Sequence, residues 1–220
     1  MACLIRLTQL ILLFAPFGSA TSAFAFPEMV RKGYANCTAC HYSPTGGGIQ
    51  TRYGRELSQE ALSTWGRDGE GAFAFNQVTL PDSVDFGGEF RALQIREDNA
   101  VLTRGRFIIM QADVQVAIGS PEAGKWFVTG AAGVDFQGHP LSRNHYLSRR
   151  LGEETTIRAG KFLPAFGINT PDHVIATRMP VGFDQGQESY NVEGAWLGEF
   201  FNVYATGVFG RPDDASLRRG

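Results

Sequence analysis

From about residue 86 onward, hydrophobic positions recur with a period of two. Ile108, Met110, Ala112, Val114, Val116 and Ile118 alternate with Gln111, Asp113 and Gln115, which gives that stretch one apolar and one polar face. Trp126, Val128, Gly130, Ala132, Val134 and Phe136 alternate in the same way with Thr129, Ala131, Gly133 and Asp135. So do Phe201, Val203, Ala205, Gly207 and Phe209 with Asn202, Tyr204 and Thr206. Less regular strand patterns cover 86–96, 144–151, 155–162 and 190–197, with Leu197-Gly198-Glu199 as a tight turn. Breaks such as Gly119-Ser120-Pro121 separate them. The pattern predicts a mainly β chain over 82–220, built from seven antiparallel strands.

Upstream the period changes. Tyr53, Leu57, Ala61 and Trp65 recur every fourth residue and predict a helix with one apolar stripe, interrupted early by Gly54. Met29, Val30 and Tyr34 predict a shorter helix leading into Cys37, with Pro27 where a first-turn proline is tolerated. Residues 68–81 carry Gly69, Gly71, Asn76 and Pro81 with little period and read as a linker. Residues 1–25 read as a secretory signal: Arg6, an apolar run over 10–17, then Ala23-Phe24-Ala25. The expected organisation is a signal peptide (1–25), a small helical segment (26–67), a linker (68–81) and a β-domain (82–220).

Two architectures suit alternating strands. A soluble sandwich turns its polar face outward, whereas a transmembrane barrel turns its apolar face to lipid and its polar face to the lumen. Three of the runs reach the roughly 9–11 residues that a tilted spanning strand needs. Trp126, Phe136, Phe201 and Phe209 sit at strand ends, where an interfacial girdle belongs, and Ala112, Gly130, Ala132 and Gly207 are small for a core. These features favour an antiparallel transmembrane β-barrel. Seven strands and the polar run 213–220 make that barrel apparently incomplete, so either the chain is the N-terminal part of a longer one or the sandwich applies.

Composition narrows the class. The formal charge is −2, and removing residues 1–25, which hold one basic and no acidic residue, takes it to −3; no basic run invites nucleic acid. With 27 Gly and 17 Phe in 220 residues the chain leans towards β-structure and tight turns. Of three cysteines, Cys3 leaves with the signal, so Cys37 and Cys40 cannot form a disulfide framework.

Those two belong to Cys37-Thr38-Ala39-Cys40-His41, the CxxCH pattern of c-type haem attachment. Two thiols bond the porphyrin vinyl groups, and the adjacent imidazole takes the iron as proximal ligand. A zinc site needs about four ligands, and no second cysteine pair exists. A thioredoxin-like motif needs a βαβ setting, which is missing. The Ser43-Pro44-Thr45-Gly46-Gly47-Gly48 stretch that follows is a loop; its glycines either admit backbone close to the porphyrin edge or only connect.

Taken together, the export signal, YANCTACHYSPTGGG, YGRELSQEALSTW and the alternating strands including GKFLPAFGINTPDH resemble the outer-membrane fusions of a monohaem cytochrome with a porin, as in iron-oxidising bacteria. The resemblance implies a haem segment that plugs or lines a barrel. It also implies electron transfer between an extracellular donor or acceptor such as iron and a periplasmic electron carrier. The chain is shorter than a full member of that family. The alternatives are a soluble periplasmic haem enzyme or sensor with a β-sandwich, and a solute porin with a structural haem.

The distal iron ligand is open among Met29, Met110, His139, His145, His173, Met179 or none. His173, in the longest loop, is preferred, and Met110 ranks low because its stripe faces lipid; the expectation is a six-coordinate low-spin haem. Asp113, Asp135, Arg158 and Glu193 are predicted to face the lumen, there either to guide a cation such as ferrous iron or simply to hydrate a wall. No hydrolase constellation stands out; an electron carrier is favoured over a catalyst, with ferrous iron oxidation left open as an activity.

Overall fold

The computed structural model describes residue 29 and residues 32–61, 67–98, 103–134, 138–167, 179–183 and 186–212. The chain divides into two compact units, Met1–Gly33 and Tyr34–Gly220, and the second holds the whole sheet.

That sheet is antiparallel, with seven strands in sequential order, a plain meander. The strands are β1 (Val84–Asp98), β2 (Thr103–Gly119), β3 (Trp126–Val134), β4 (Pro140–Arg150), β5 (Thr155–Phe162), β6 (Ser189–Leu197) and β7 (Asn202–Val208). All seven predicted strands are present. β1 and β7 are not paired to each other among the described residues, so no barrel is closed. No helix there is long and apolar enough to cross a membrane, which says nothing about crossing by strands.

Burial along the strands is inverted relative to a soluble core. Gln111, Asp113 and Gln115 on β2, Thr156 and Arg158 on β5, and Asn191 and Glu193 on β6 are buried, while Val114, Ile118, Val128, Leu147, Ile157 and Val192 are exposed. Asp113 is 6% exposed and Glu193 1%, against 55% for Val114 and 48% for Val128. The polar face is therefore the inner one. Its charges are paired: Arg158 meets Glu193 at 2.6 Å, and Arg143 meets Asp113 at 3.2 Å.

Two irregularities decide which residues share a face. Arg91 pairs with Gln111 and the next residue, Ala92, with Ile109, so β2 carries an extra residue at Met110. Ala131 pairs with Asn144 and Ala132 with Ser142, which makes Arg143 the extra residue of β4. A bulge reverses the alternation beyond it. Consequently Phe107 and Ile109, rather than Ile108 and Met110, continue the outward apolar row of Val114 and Ile118. At the other bulge Arg143 is aimed inward at Asp113.

Above the inner face lies the segment 34–61. Its apolar kernel against the sheet is Tyr42, Ile49, Ala117 and Phe127, with the Tyr42 and Phe127 rings edge-to-face at 5.2 Å. The one α-helix of this segment is α1 (Arg52–Ala61). Tyr53 on its predicted stripe is 49% exposed, and the buried residue is Gly54, where a Cβ would lie 2.2 Å from the Cys40 carbonyl oxygen. Gly54 is thus the seat of the helix on the motif, and not an interruption. Trp65 and Val30 lie outside the described residues. The helix predicted to lead into Cys37 is absent from 34–36, which follow a turn at 32–33 without regular structure. Residues 67–81 are turns with one 3-10 element (Phe73–Asn76), tied back to α1 by Arg55 Nε donating to Gly71 O at 3.1 Å and Gly71 N to Gln59 Oε1 at 2.9 Å.

Candidate functional site

The motif is a compact turn. Asn36 caps it, its Oδ1 accepting from Thr38 N at 2.9 Å and from Thr38 Oγ1 at 2.7 Å, and Cys37–Ala39 form one 3-10 turn. Cys37 O then accepts from Cys40 N at 3.3 Å and from His41 N at 2.9 Å. These bonds hold both thiols and the imidazole on adjoining positions of one turn. His41 and Gln50 next form an antiparallel bridge, and Tyr42 N donates to Ile49 O at 3.2 Å. The chain between them must reverse tightly. Gly46, Gly47 and Gly48 do this with φ of 73°, 70° and 64°, values that residues with a Cβ rarely adopt. The Cβ direction of Gly46 points at Cys37 Sγ, 3.7 Å away. Thr51 completes the unit: its Oγ1 accepts from Gly54 N at 3.2 Å as a helix cap and donates to Ala39 O at 2.9 Å.

The sheet grips this unit from several strands. Tyr42 Oη donates to Asp85 Oδ2 on β1 at 2.5 Å, and Asp85 also meets Arg55 at 2.6 Å. Arg158 on β5 donates to Ser43 Oγ at 3.1 Å, and Tyr204 on β7 donates through Oη to Pro44 O at 2.9 Å. Arg150 at the end of β4 donates to Thr38 O at 2.5 Å and to His41 O at 3.2 Å, while Asn36 Nδ2 donates to Glu153 O at 3.1 Å. The three successive residues 42–44 thus reach β1, β3, β5 and β7. A flat sheet would set β1 and β7 about 29 Å apart, so the polar face curls around the segment. A hollow of about 230 Å³ remains beside the turn, between Thr38, Ala39, Arg150 and the turns at 121–123 and 152–153.

The donor set is two thiols and one imidazole on neighbouring positions of the chain. Cys37 and Cys40 are free thiols, and burial raises both above the ordinary cysteine value; for Cys37 the nearby Cys40 adds to this and a backbone hydrogen bond opposes it. A reactive redox cysteine needs the opposite, an electropositive setting that lowers its pKa. Among the described residues no group of three or more His, Cys, Asp or Glu is placed to hold a bare metal ion. Burial lowers His41 below its ordinary 6.5, with the backbone of Gly47 and Gly48 acting in the other direction, and its buried Nδ1 makes no hydrogen bond. A neutral imidazole is the form that binds iron.

This depression has a measurable sign. The unfolded chain takes up a proton on His41 near pH 6.5 and the folded chain only at a lower value, so the protein loses stability as pH falls through that window and is unaffected by His41 above it. Urea midpoints at about pH 7.5 and about pH 5 should therefore fall further for the wild-type chain than for His41→Gln.

The other candidates are scattered. His145 lies on the outward face of β4, away from the motif. Its Nδ1 is 2.8 Å from Ser142 Oγ and its Nε2 3.1 Å from Tyr190 Oη, which removes it as a distal ligand in this arrangement. The bulge at Arg143 is what sets Ser142 and His145, three apart, on one side. Met110 is the bulge residue of β2, and His139 is exposed in the β3–β4 connection. His173, Asp135 and the side chain of Met179 lie outside the described residues, and Met29 belongs to the other unit. Asp113, Arg158 and Glu193 do face inward as expected, but paired to arginine or glutamate partners, so Asp113 and Glu193 act as anchors of the wall. Alternation does not reveal the inward aim of Arg143 or the roles of Arg150 and Tyr204. Arg143 is re-aimed by a bulge, and the other two bond backbone carbonyls far away in the chain. Comparison with protein-family models, with curated proteins and with solved structures found no match to this chain.

Proposed function

We propose that Cys37 and Cys40 carry one covalent c-type haem with His41 as its proximal ligand. The seven strands form part of an outer-membrane β-barrel whose lumen holds this segment, and the protein passes electrons between an extracellular donor or acceptor such as iron and a periplasmic carrier. The observation that carries the reading is the inverted sheet: polar and ionised residues covered by the CxxCH segment, apolar residues open on the other side. In water that outer surface would be a large exposed apolar patch, and lipid is its natural cover. Its height agrees. From Phe107 to Ile118 on β2 is about 36 Å along the strand, or roughly 27 Å at a tilt near 40°, against an apolar band of about 25 Å.

Bound haem supplies a one-electron couple between ferrous and ferric iron. Everything else falls to the chain. In this reading the Cys37–Ala39 turn and its cap residue Cys40 offer the two thiols for attachment, burial favours the neutral form of His41 for ligation, and Arg150, Arg158, Tyr204 and Asp85 tie the segment to the sheet. Paired charges and a packed kernel also occupy space that a solute porin would leave open. Alkaline carbonate extraction of membranes from cells making the protein tests the reading: it predicts that haem stain and polypeptide stay together in the pellet. Release of both to the supernatant would favour the soluble sandwich.

A further inference from the structure

Arg150 ends β4 and turns its guanidinium towards the motif. A single nitrogen, Nη2, bridges Thr38 O inside the CxxCH loop and His41 O at its end. The latter bond spans 109 positions of sequence, so nothing local to the turn supplies it. Arg150 Nε is shielded from solvent and makes no hydrogen bond, so this cation is only partly solvated. Two carboxylates, Glu122 and Glu153, border the same hollow; Glu122 is engaged with Lys125 at 2.8 Å.

A guanidinium keeps its charge at any physiological pH. Fixed beside the backbone of an iron ligand, and poorly screened there, a positive charge disfavours the state in which the iron carries the additional positive charge. We propose that Arg150 is the positioning residue of this turn: it fixes the His41 backbone, and its charge raises the reduction potential of the attached haem, favouring the ferrous state. This inference rests on the haem reading of Cys37, Cys40 and His41. The two roles separate by substitution, because lysine keeps the charge but ends in a flexible ammonium without the rigid guanidinium that sets Nη2 against both carbonyls, and glutamine has neither.

The experiment has two arms on the full chain in detergent. In an optical redox titration, Arg150→Gln should shift the midpoint to a lower potential, and Arg150→Lys should restore most of the shift. In haem-free protein the His41 amide stays bonded to Cys37 O, so its exchange reports opening of the turn that Arg150 clamps. It should quicken roughly ten- to hundredfold in both variants, as expected when the turn loses hydrogen bonds to a charged group. A wild-type midpoint in Arg150→Gln overturns the proposal, as does an unchanged exchange rate. Absence of any haem adduct on wild-type protein would instead remove the haem reading, and the exchange arm would still decide whether Arg150 fixes the turn.

Discussion

Glu193→Ala is expected to destabilise the protein by about 3–5 kcal/mol, the usual consequence of stranding one member of a buried ion pair. Glu193 is almost fully buried and accepts from Arg158 Nε at 2.8 Å and from Thr206 Oγ1 at 2.8 Å, so three strands lean on one carboxylate. Arg158 has nowhere to take its charge, since its guanidinium lies over the rings of Phe162 at 4.0 Å and Tyr146 at 5.4 Å. The same guanidinium holds Ser43, so its displacement also loosens the motif segment. Glu193→Gln keeps an acceptor and should cost less. Urea unfolding in detergent measures both, and a loss under about 1 kcal/mol for the alanine variant would mean that the pair does not anchor the wall.

The second large effect concerns the outer face. Val128 is about half exposed on β3 with other outward apolar residues around it, and Val128→Arg adds a charge there. If lipid covers this face, the cost is about 2–4 kcal/mol near mid-membrane. If water covers it, an exposed substitution should change stability by no more than roughly 0.5 kcal/mol. Insertion yield into vesicles and the subsequent unfolding midpoint separate the two. A Val128→Arg variant as stable and as abundant as wild type would contradict the barrel.

How much of this is legible in the sequence follows from what alternation can encode. Parity gives the correct faces on β3, β6 and β7 because those strands run without a bulge, so Val128, Glu193 and Val203 fall where their spacing puts them. β2 is different: the extra residue at Met110 leaves no mark in a stretch as uniformly apolar as 107–112, so parity alone puts Ile108 and Met110 on the wrong row. The CxxCH motif itself is a local signal and is readable from five residues. Its seating is not, because each clamp is a long-range bond from Asp85, Arg150, Arg158 or Tyr204 to a segment at least 43 positions earlier. Gly54 shows the same limit. A glycine in a helical pattern reads as a weakness until the Cys40 carbonyl is found packed against it.

Everything functional turns on whether thioether bonds join Cys37 and Cys40 to a haem. The direct measurement is the intact mass of the denatured protein, read together with peroxidase staining after gel electrophoresis, for wild type and Cys37→Ala/Cys40→Ala. The account predicts one haem added to the wild-type polypeptide, staining that survives denaturation, and loss of both in the double variant. A wild-type mass equal to that of the bare polypeptide, with no stain, from cells competent to attach c-type haem would contradict it.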